Sequence, residues 1–318
     1  MLTMYPKCAQ SFNKWYLSRY KFGKLYNDLG KPMPFDVTLR DGLQALTKEE
    51  QSYMTTYKKL SLCNSITTIY NPKNIEVGSI VSEKVLPIFK DTIEIAEILY
   101  DLQKVNCSEK RKNIFVLVPN IEKLRNVINN AKINHFSFIT SVSNSFQKKN
   151  TKMTLEESDK DLYEMLYELD ENNCRSKKTF VKLYVSCINE CPIEGKIDND
   201  YIVNRILNLN KMNVDSICLS DTCGSLNEED FEYIVDTCAY FGFPLSKFSL
   251  HLHVKKEREK EIEKIIHKSL DRKIINFDVS NLETGGCSVT MDKKNLAPNL
   301  TYDLYYKSLC NYIIKKTQ

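Results

Sequence analysis

Short apolar runs rich in β-branched and aromatic residues recur along the chain, and each is followed by a longer stretch with helical periodicity. Eight such runs occur: Phe35–Leu39, Ile75–Val81, Ile114–Val118, His135–Ile139, Phe180–Ser186, Ser216–Ser220, Phe248–His253 and Ile274–Val279. Strands that alternate with helices form a parallel sheet. Eight such units in about 250 residues predict an α/β fold, a (β/α)8 TIM barrel. A doubly wound open sheet is the runner-up, disfavoured because the nine glycines never take the spacing of a dinucleotide-binding or Walker loop.

The first strand–helix unit starts after Pro34, and this position sets the predicted domain boundary. We expect residues 34–318 to form a single TIM-barrel domain and residues 1–33 to form a helical N-terminal extension. The extension is basic and aromatic, with Lys14, Trp15 and Arg19 among its residues, so a mitochondrial transit peptide is the alternative. Asp28 and the aromatic density favour a capping helix.

Composition excludes several classes of protein. With 42% hydrophobic and 27% charged residues, the chain is neither disordered nor fibrous. A net charge of +4 with scattered basic residues predicts no nucleic-acid partner. We see no apolar stretch long enough to span a membrane and no secretion signal. The eleven cysteines follow no disulfide or zinc pattern, which suggests a reducing compartment. We therefore expect the cytoplasm, with mitochondria as the alternative. A homodimer is possible as well.

Polar residues stand where the predicted strands end, which is where barrel enzymes carry their catalytic groups. They are Arg40 and Asp41 after strand one, Glu76 in strand two, Asp221 after strand six, His251 and His253 in strand seven, and Cys287 after strand eight. Each has an ordinary structural explanation: a helix cap for Asp221, a surface ion pair for Arg40 with Asp41, and a core position for a lone cysteine. Their common location at one rim indicates a catalytic site.

His251 and His253 are two residues apart on a predicted strand, so both imidazoles point to the same side. The alternative is that they are packed or hydrogen-bonded core residues. Asp41 adds an anionic oxygen. Two imidazoles with oxygen ligands and open positions favour Mg²⁺ or Mn²⁺, whereas a zinc site with thiolates is disfavoured.

Several segments together resemble one enzyme family. Phe35–Gln44, with the sequence FDVTLRDGLQ, resembles the opening strand of 3-hydroxy-3-methylglutaryl-CoA (HMG-CoA) lyase, a member of the metal-dependent lyase and Claisen-condensing TIM-barrel superfamily. Further similar segments are Ile75–Ser82, Val116–Asn120, Asn144–Asn150, Tyr184–Cys187 and Cys191–Ile197. The last two are close to lyase-specific.

The resemblance implies a fold, an activity and a set of site residues. It implies metal ligands at Asp41, His251, His253 and Asn295, the last in a segment similar to the family's Gly-Asn-Leu-Ala. It implies catalytic roles for Arg40, Glu76, Asp221 and Cys287. The reaction would cleave an acyl-CoA, HMG-CoA, into acetoacetate and acetyl-CoA. Arg40 would stabilise the enolate oxygen, Asp221 or His251 would be the general base, and Cys287 the proton donor.

The segment after strand eight departs from the family pattern. Glu283 replaces a glycine, Ser288 a proline and Val289 an aromatic residue, and the stretch from Cys287 to Asn295 is one residue shorter. These departures motivate an alternative function, a catalytically silent barrel kept as a binding or scaffold protein. A second alternative is a Claisen-condensing acyl-CoA enzyme such as a homocitrate or isopropylmalate synthase.

Overall fold

The computed structural model describes residues 20–105, 111–130, 132–171 and 179–317. The strands are β1 (Phe35–Asp36), β2 (Asn74–Ser79), β3 (Asn113–Leu117), β4 (His135–Ser141), β5 (Phe180–Ser186), β6 (Glu190–Cys191), β7 (Gly195–Lys196), β8 (Ser216–Asp221), β9 (Phe248–Leu252) and β10 (Asn276–Val279). Eight of them close into a parallel barrel in the order β1-β10-β9-β8-β5-β4-β3-β2, and β6 pairs with β7 in a small hairpin. The predicted (β/α)8 barrel is confirmed.

Helices surround the barrel. They are α1 (Tyr20–Asp28), α2 (Lys48–Ser52), α3 (Thr56–Ile69), α4 (Thr92–Val105), α5 (Ile121–Arg125), α6 (Asn144–Thr151), α7 (Leu155–Glu171), α8 (Asn199–Leu209), α9 (Glu228–Tyr240), α10 (Glu259–Asp271) and α11 (Tyr302–Thr317). Side-chain caps fix several starts: Ser143, Asp198 and Asn227 each accept a backbone N–H from the first turn of the helix that follows.

Part of the predicted N-terminal extension is helical. Helix α1 packs against α11 on the outside of the barrel. Residues 1–19, which include Lys14, Trp15 and Arg19, lie outside the described residues. The structure therefore does not test the capping-helix and transit-peptide expectations for them. None of the helices in the described part of the chain has the length and apolar character needed to cross a membrane.

The first strand is shorter than predicted. Only Phe35 and Asp36 pair with the neighbouring strands, and Thr38–Gly42 forms one π-helical turn. The reason lies in the backbone, because the N–H groups of Arg40 and Gly42 both donate to the Val37 carbonyl. Arg40 and its neighbour are therefore held on a tight buried turn at the rim of the barrel.

The interior of the barrel is unusually polar. Lys182 on β5 and Asp278 on β10 form an ion pair inside it, with side-chain exposures of 2% and 0%. The Lys182 ammonium also lies 3.6 Å from the centre of the Phe35 ring. Charged residues are almost never buried unless they are paired, and here each of the two is the partner of the other. The ion pair lies inside the barrel, below the site described next.

Candidate active site

A cavity of about 130 Å³ opens at the C-terminal rim of the barrel. Five of the residues predicted from the sequence line it: Arg40, Asp41, His251, His253 and Cys287. Leu117, Ile139 and Phe146 give it an apolar wall. The cavity therefore combines charged and metal-ligating groups with a surface suited to an alkyl substituent.

The two histidines have defined tautomers. Nδ1 of His253 lies 3.0 Å from the Ala297 carbonyl oxygen, which can only accept, so this nitrogen carries the proton. Nδ1 of His251 lies 3.1 Å from Oδ2 of Asp278, a carboxylate, and donates in the same way. In the neutral form of each ring both Nε2 atoms are then unprotonated, and they face each other 3.2 Å apart. Two lone pairs cannot hydrogen-bond to one another, but a cation would be stabilised by both.

Asp41 completes a group that could hold a metal ion. Its Oδ2 lies 3.9 Å from Nε2 of His251, and one ligand atom from each of the three residues lies within 4.8 Å of the others. Two ligands bound at about 2.1 Å to one ion are at most about 4.2 Å apart, so sub-ångström shifts suffice. Burial, and then the nearby His251, lowers the pKa of His253 to about 4, which keeps it neutral as a ligand must be. The residues present fit a divalent cation.

Arg40 is fixed from three sides. Its guanidinium donates to the carboxylates of Glu76 and Asp41 and lies 4.9 Å from the centre of the Tyr184 ring. Burial alone would lower the Arg40 pKa, but the two carboxylates raise it well above its usual value. Glu76 is fully buried, does not line the cavity and has Arg40 as its charged partner; its catalytic role stays a prediction. The charge at Arg40 is permanent and preorganised.

Cys287 is half-buried on the loop between β10 and α11, with its thiol 3.4 Å from Oδ1 of Asn150. Burial raises its pKa, so the group is a protonated thiol at neutral pH. The loop is tied to the π-helical turn and to the residues just after it, because the Gly286 N–H donates to Asp41 Oδ2 and the Ser288 hydroxyl donates to the Gln44 carbonyl. The departures from the family pattern therefore leave this loop seated against the site.

Asp221 points away from the cavity. Its two carboxylate oxygens accept the backbone N–H groups of Ser225 and Leu226, 3.0 and 3.1 Å away. Burial raises its pKa to about 6 despite these bonds. The neighbouring Ser220 and Thr222 line the cavity instead. The geometry is that of a loop anchor, and the catalytic role of Asp221 stays a prediction.

Asn295 is exposed and lines a different cavity from the histidines. Asn299, four residues on, is buried, and its backbone bridges to His253. The Asn299 side chain donates to the Thr284 carbonyl, and its Oδ1 has no hydrogen-bond partner among the described residues. Asn295 as a ligand stays a prediction, and Asn299 is a second candidate for the amide ligand.

Sequence reasoning missed three residues: Lys182 and Asp278, which lie beneath the cavity, and Tyr184, which lines it. The Tyr184 hydroxyl lies 2.9 Å from Asp278 Oδ2 and 3.2 Å from Glu76 Oε2. The signal was present, since a lysine and an aspartate each interrupt an otherwise apolar strand run. Charged residues in such runs call for a buried partner.

A second cavity of about 710 Å³ continues outward from the first. The two share Gln44, Val85, Leu86 and Val289 as lining residues. Four lysines line the outer cavity: Lys59 is buried and paired with Asp91, and Lys48, Lys84 and Lys90 are exposed. Together the two cavities offer a path from the buried metal-ligating group to a basic surface.

Known proteins resemble the chain in sequence and in fold. A family model described as HMGL-like matches residues 31–255. Mitochondrial hydroxymethylglutaryl-CoA lyase of Bos taurus is 30% identical over 189 residues, 59% of this chain and 53% of the relative. The hydroxymethylglutaryl-CoA lyase of Pseudomonas mevalonii is 23% identical over 253 residues, 80% of this chain and 77% of the relative. The match thus spans about half of the bovine relative and about three quarters of the bacterial one.

Two solved structures share the fold. The HMG-CoA lyase of Brucella melitensis has a TM-score of 0.70 at 20% identity, covering 90% of this chain and 97% of the other. An HMG-CoA lyase of Acinetobacter baumannii, in complex with coenzyme A and 3-methylmalate, has a TM-score of 0.70 at 22% identity, covering 89% and 83%.

Proposed function

Because the chain belongs to the HMGL-like family, we propose that it is a divalent-metal-dependent carbon–carbon lyase that cleaves HMG-CoA into acetoacetate and acetyl-CoA. The observation that carries this proposal is the meeting, in one cavity, of two unprotonated Nε2 atoms, the Asp41 carboxylate and the Arg40 guanidinium. The reaction needs those elements: a place for a cation and a fixed positive charge where an enolate oxygen develops.

The cation that we propose is Mg²⁺ or Mn²⁺, held by Asp41, His251 and His253. A bound dication would supply Lewis acidity that lowers the pKa of the substrate hydroxyl and orients the substrate. The structure supports Asn299 as the amide ligand more than Asn295, because a buried amide oxygen without a partner needs one. Asn299→Ala should weaken Mn²⁺ binding and Asn295→Ala should not; the opposite result would restore the assignment made from the sequence.

Arg40 would stabilise the oxyanion of the acetyl-CoA enolate. The guanidinium is already oriented by Glu76 and by the Tyr184 ring, so little reorganisation is needed as charge develops. Such preorganised charge is often the largest single catalytic contribution.

The two proton-transfer roles differ in how well the structure supports them. Cys287 lines the cavity as a neutral thiol, which suits a group that donates a proton to the enolate carbon. Neither candidate for the general base is free as the site stands: Asp221 does not line the cavity, and both nitrogens of His251 are committed, Nδ1–H to Asp278 and Nε2 to the proposed ion. Asp221→Asn should then change stability more than turnover, as measured by thermal melting and steady-state kinetics.

The outer cavity is our candidate for the coenzyme A portion of the substrate. Its volume suits an extended chain, and Lys48, Lys84 and Lys90 offer positive charge to phosphate groups. Replacing these three lysines by Gln should raise KM for the thioester while leaving Mn²⁺ affinity unchanged.

Incubation of the purified chain with HMG-CoA and Mn²⁺ tests the proposal, with acetoacetate as the expected product. The alternative function, a silent barrel that binds without catalysis, is favoured by Glu283 and Val289 in the altered loop. It predicts binding of Mn²⁺ and thioester with no acetoacetate formed.

A further inference from the structure

Asp278 lies at the centre of a buried hydrogen-bond cluster below the metal-ligating group. Its Oδ2 accepts from Nδ1 of His251 at 3.1 Å and from the Tyr184 hydroxyl at 2.9 Å. Its Oδ1 accepts from the Lys182 ammonium. The Asp278 side chain has no exposed surface, so bulk solvent does not reach these contacts.

The charge state of Asp278 is set by its neighbours. Its Oδ1 is paired with the Lys182 ammonium and its Oδ2 accepts from the Tyr184 hydroxyl, and both contacts favour the charged carboxylate. The carboxylate is therefore ionised and can only accept hydrogen bonds. It follows that Nδ1 of His251 must be the protonated nitrogen, which leaves the Nε2 lone pair for the cavity.

We infer that Asp278, oriented by Lys182 and Tyr184, is a positioning residue that fixes the tautomer and ring orientation of His251 so that Nε2 faces the ion site. The carboxylate acts through the imidazole and does not line the cavity itself. Such partners of metal-ligating histidines typically change metal affinity by about 10–100-fold when replaced. The inference rests on the proposed metal site, but not on the identity of the substrate.

Lys182 makes the inference testable, because its ammonium group fixes the orientation of the side-chain amide in an Asp278→Asn variant. In Asp278→Asn the single side-chain oxygen should remain with the Lys182 ammonium, since an NH₂ group cannot accept from it. The NH₂ group then faces Nδ1 of His251 and donates to it. This places the ring proton on Nε2, the wrong tautomer for a ligand.

The double variant Lys182→Met with Asp278→Asn should reverse that change. Without the ammonium, the amide can flip, and its oxygen can accept from Nδ1 of His251 again. The double variant also has the same net charge as the wild type, and a buried ion pair is often replaced by neutral groups at little cost in stability.

The experiment reads the tautomer directly, in apo protein labelled with ¹⁵N-histidine. The chain has only four histidines, so long-range ¹H–¹⁵N correlations can be resolved and assigned with a His251→Asn variant. We expect an Nδ1–H tautomer in the wild type, Nε2–H in Asp278→Asn, and Nδ1–H again in the double variant. Calorimetric titration with Mn²⁺ should show Kd raised about 10–100-fold in Asp278→Asn and largely recovered in the double variant.

Asp36→Asn is the matched control. Asp36 is also a fully buried carboxylate of the barrel, but it accepts from Thr38 and Tyr302 and not from a histidine. The Asp36→Asn variant should leave the His251 tautomer unchanged and should alter the Mn²⁺ affinity by less than about threefold.

Two results would overturn the inference. One is an unchanged tautomer in Asp278→Asn, since a loss of affinity would then come from charge alone. The other is equal loss of Mn²⁺ affinity in Asp36→Asn and Asp278→Asn. Neither measurement uses the thioester, so a failure to form acetoacetate would leave the inference standing, and a failure here would leave the lyase proposal standing.

Discussion

Arg40→Gln separates the structural and catalytic roles of the guanidinium. The substitution removes a buried cation and leaves Glu76 and Asp41, which have side-chain exposures of 0% and 6%, without their partner. Breaking a buried ion pair on one side costs about 3–5 kcal/mol, and the Gln amide recovers part of this by hydrogen bonding to one carboxylate. We therefore expect a loss of about 3 kcal/mol in the free energy of unfolding of the apo protein.

That loss converts into a measurable shift in melting temperature. At about 2.1 cal/mol/K per residue, a chain of this size has an unfolding entropy of about 0.7 kcal/mol/K, so 3 kcal/mol corresponds to about 4–5 °C. The affinity for Mn²⁺, in contrast to the stability, should not decrease. The buried groups Glu76, Asp41 and Asp278 outnumber Arg40 and Lys182 by one charge, and removing Arg40 makes the site more negative. Mn²⁺ should bind at least as tightly as in the wild type.

Turnover should fall by at least about 10²–10³-fold, because the charge facing the enolate oxygen is gone. The assays are differential scanning calorimetry of the apo protein, calorimetric Mn²⁺ titration and acetoacetate formation. Near-normal turnover would remove Arg40 from the mechanism. An unchanged melting temperature would refute the claim that Arg40 neutralises Glu76 and Asp41 in the fold.

Three further changes test other parts of the account. His253→Ala should abolish stoichiometric Mn²⁺ binding, because one of the paired Nε2 ligands is lost; unchanged stoichiometry in equilibrium dialysis would contradict the site. Cys287→Ala should lower turnover by about 10²–10⁴-fold while leaving Mn²⁺ content and melting temperature nearly unchanged, and full turnover would show that the thiol is only structural. Asp36→Asn should change the pH dependence of stability, because burial raises the pKa of Asp36 from 3.8 to about 6. The folded wild type then holds a proton between about pH 4 and 6 that the unfolded chain has lost, so its free energy of unfolding falls by up to about 3 kcal/mol as pH rises through that window. Urea denaturation at pH 4 and pH 7 should show this fall in the wild type and a smaller one in the variant; parallel pH profiles would contradict it.

The alternation of strand and helix was enough to predict the barrel, because eight buried parallel strands leave a strong apolar signal. The same pattern predicted which strand ends carry Arg40, Asp41, His251, His253 and Cys287, which meet in one cavity.

What the pattern could not give is the direction of single side chains where a strand ends. Asp221 lies one residue beyond Ser220, and the alternation of a strand turns it away from the cavity and onto backbone N–H groups. The position of an amide near the histidines depends on the path of an irregular loop, and Asn299 rather than Asn295 is the one that bridges to His253. The ion pair of Lys182 with Asp278 joins residues 96 positions apart, which only the closure of the barrel brings together.

The most direct test of the proposed chemistry follows both products in D₂O. The chain should convert HMG-CoA into equal amounts of acetoacetate and acetyl-CoA, with one deuterium in the acetyl methyl group from the exchanged proton donor. EDTA should stop the reaction, and Mn²⁺ or Mg²⁺ should restore it. Thioester that stays intact with saturating metal, or free coenzyme A released by hydrolysis without acetoacetate, would contradict a metal-dependent carbon–carbon lyase.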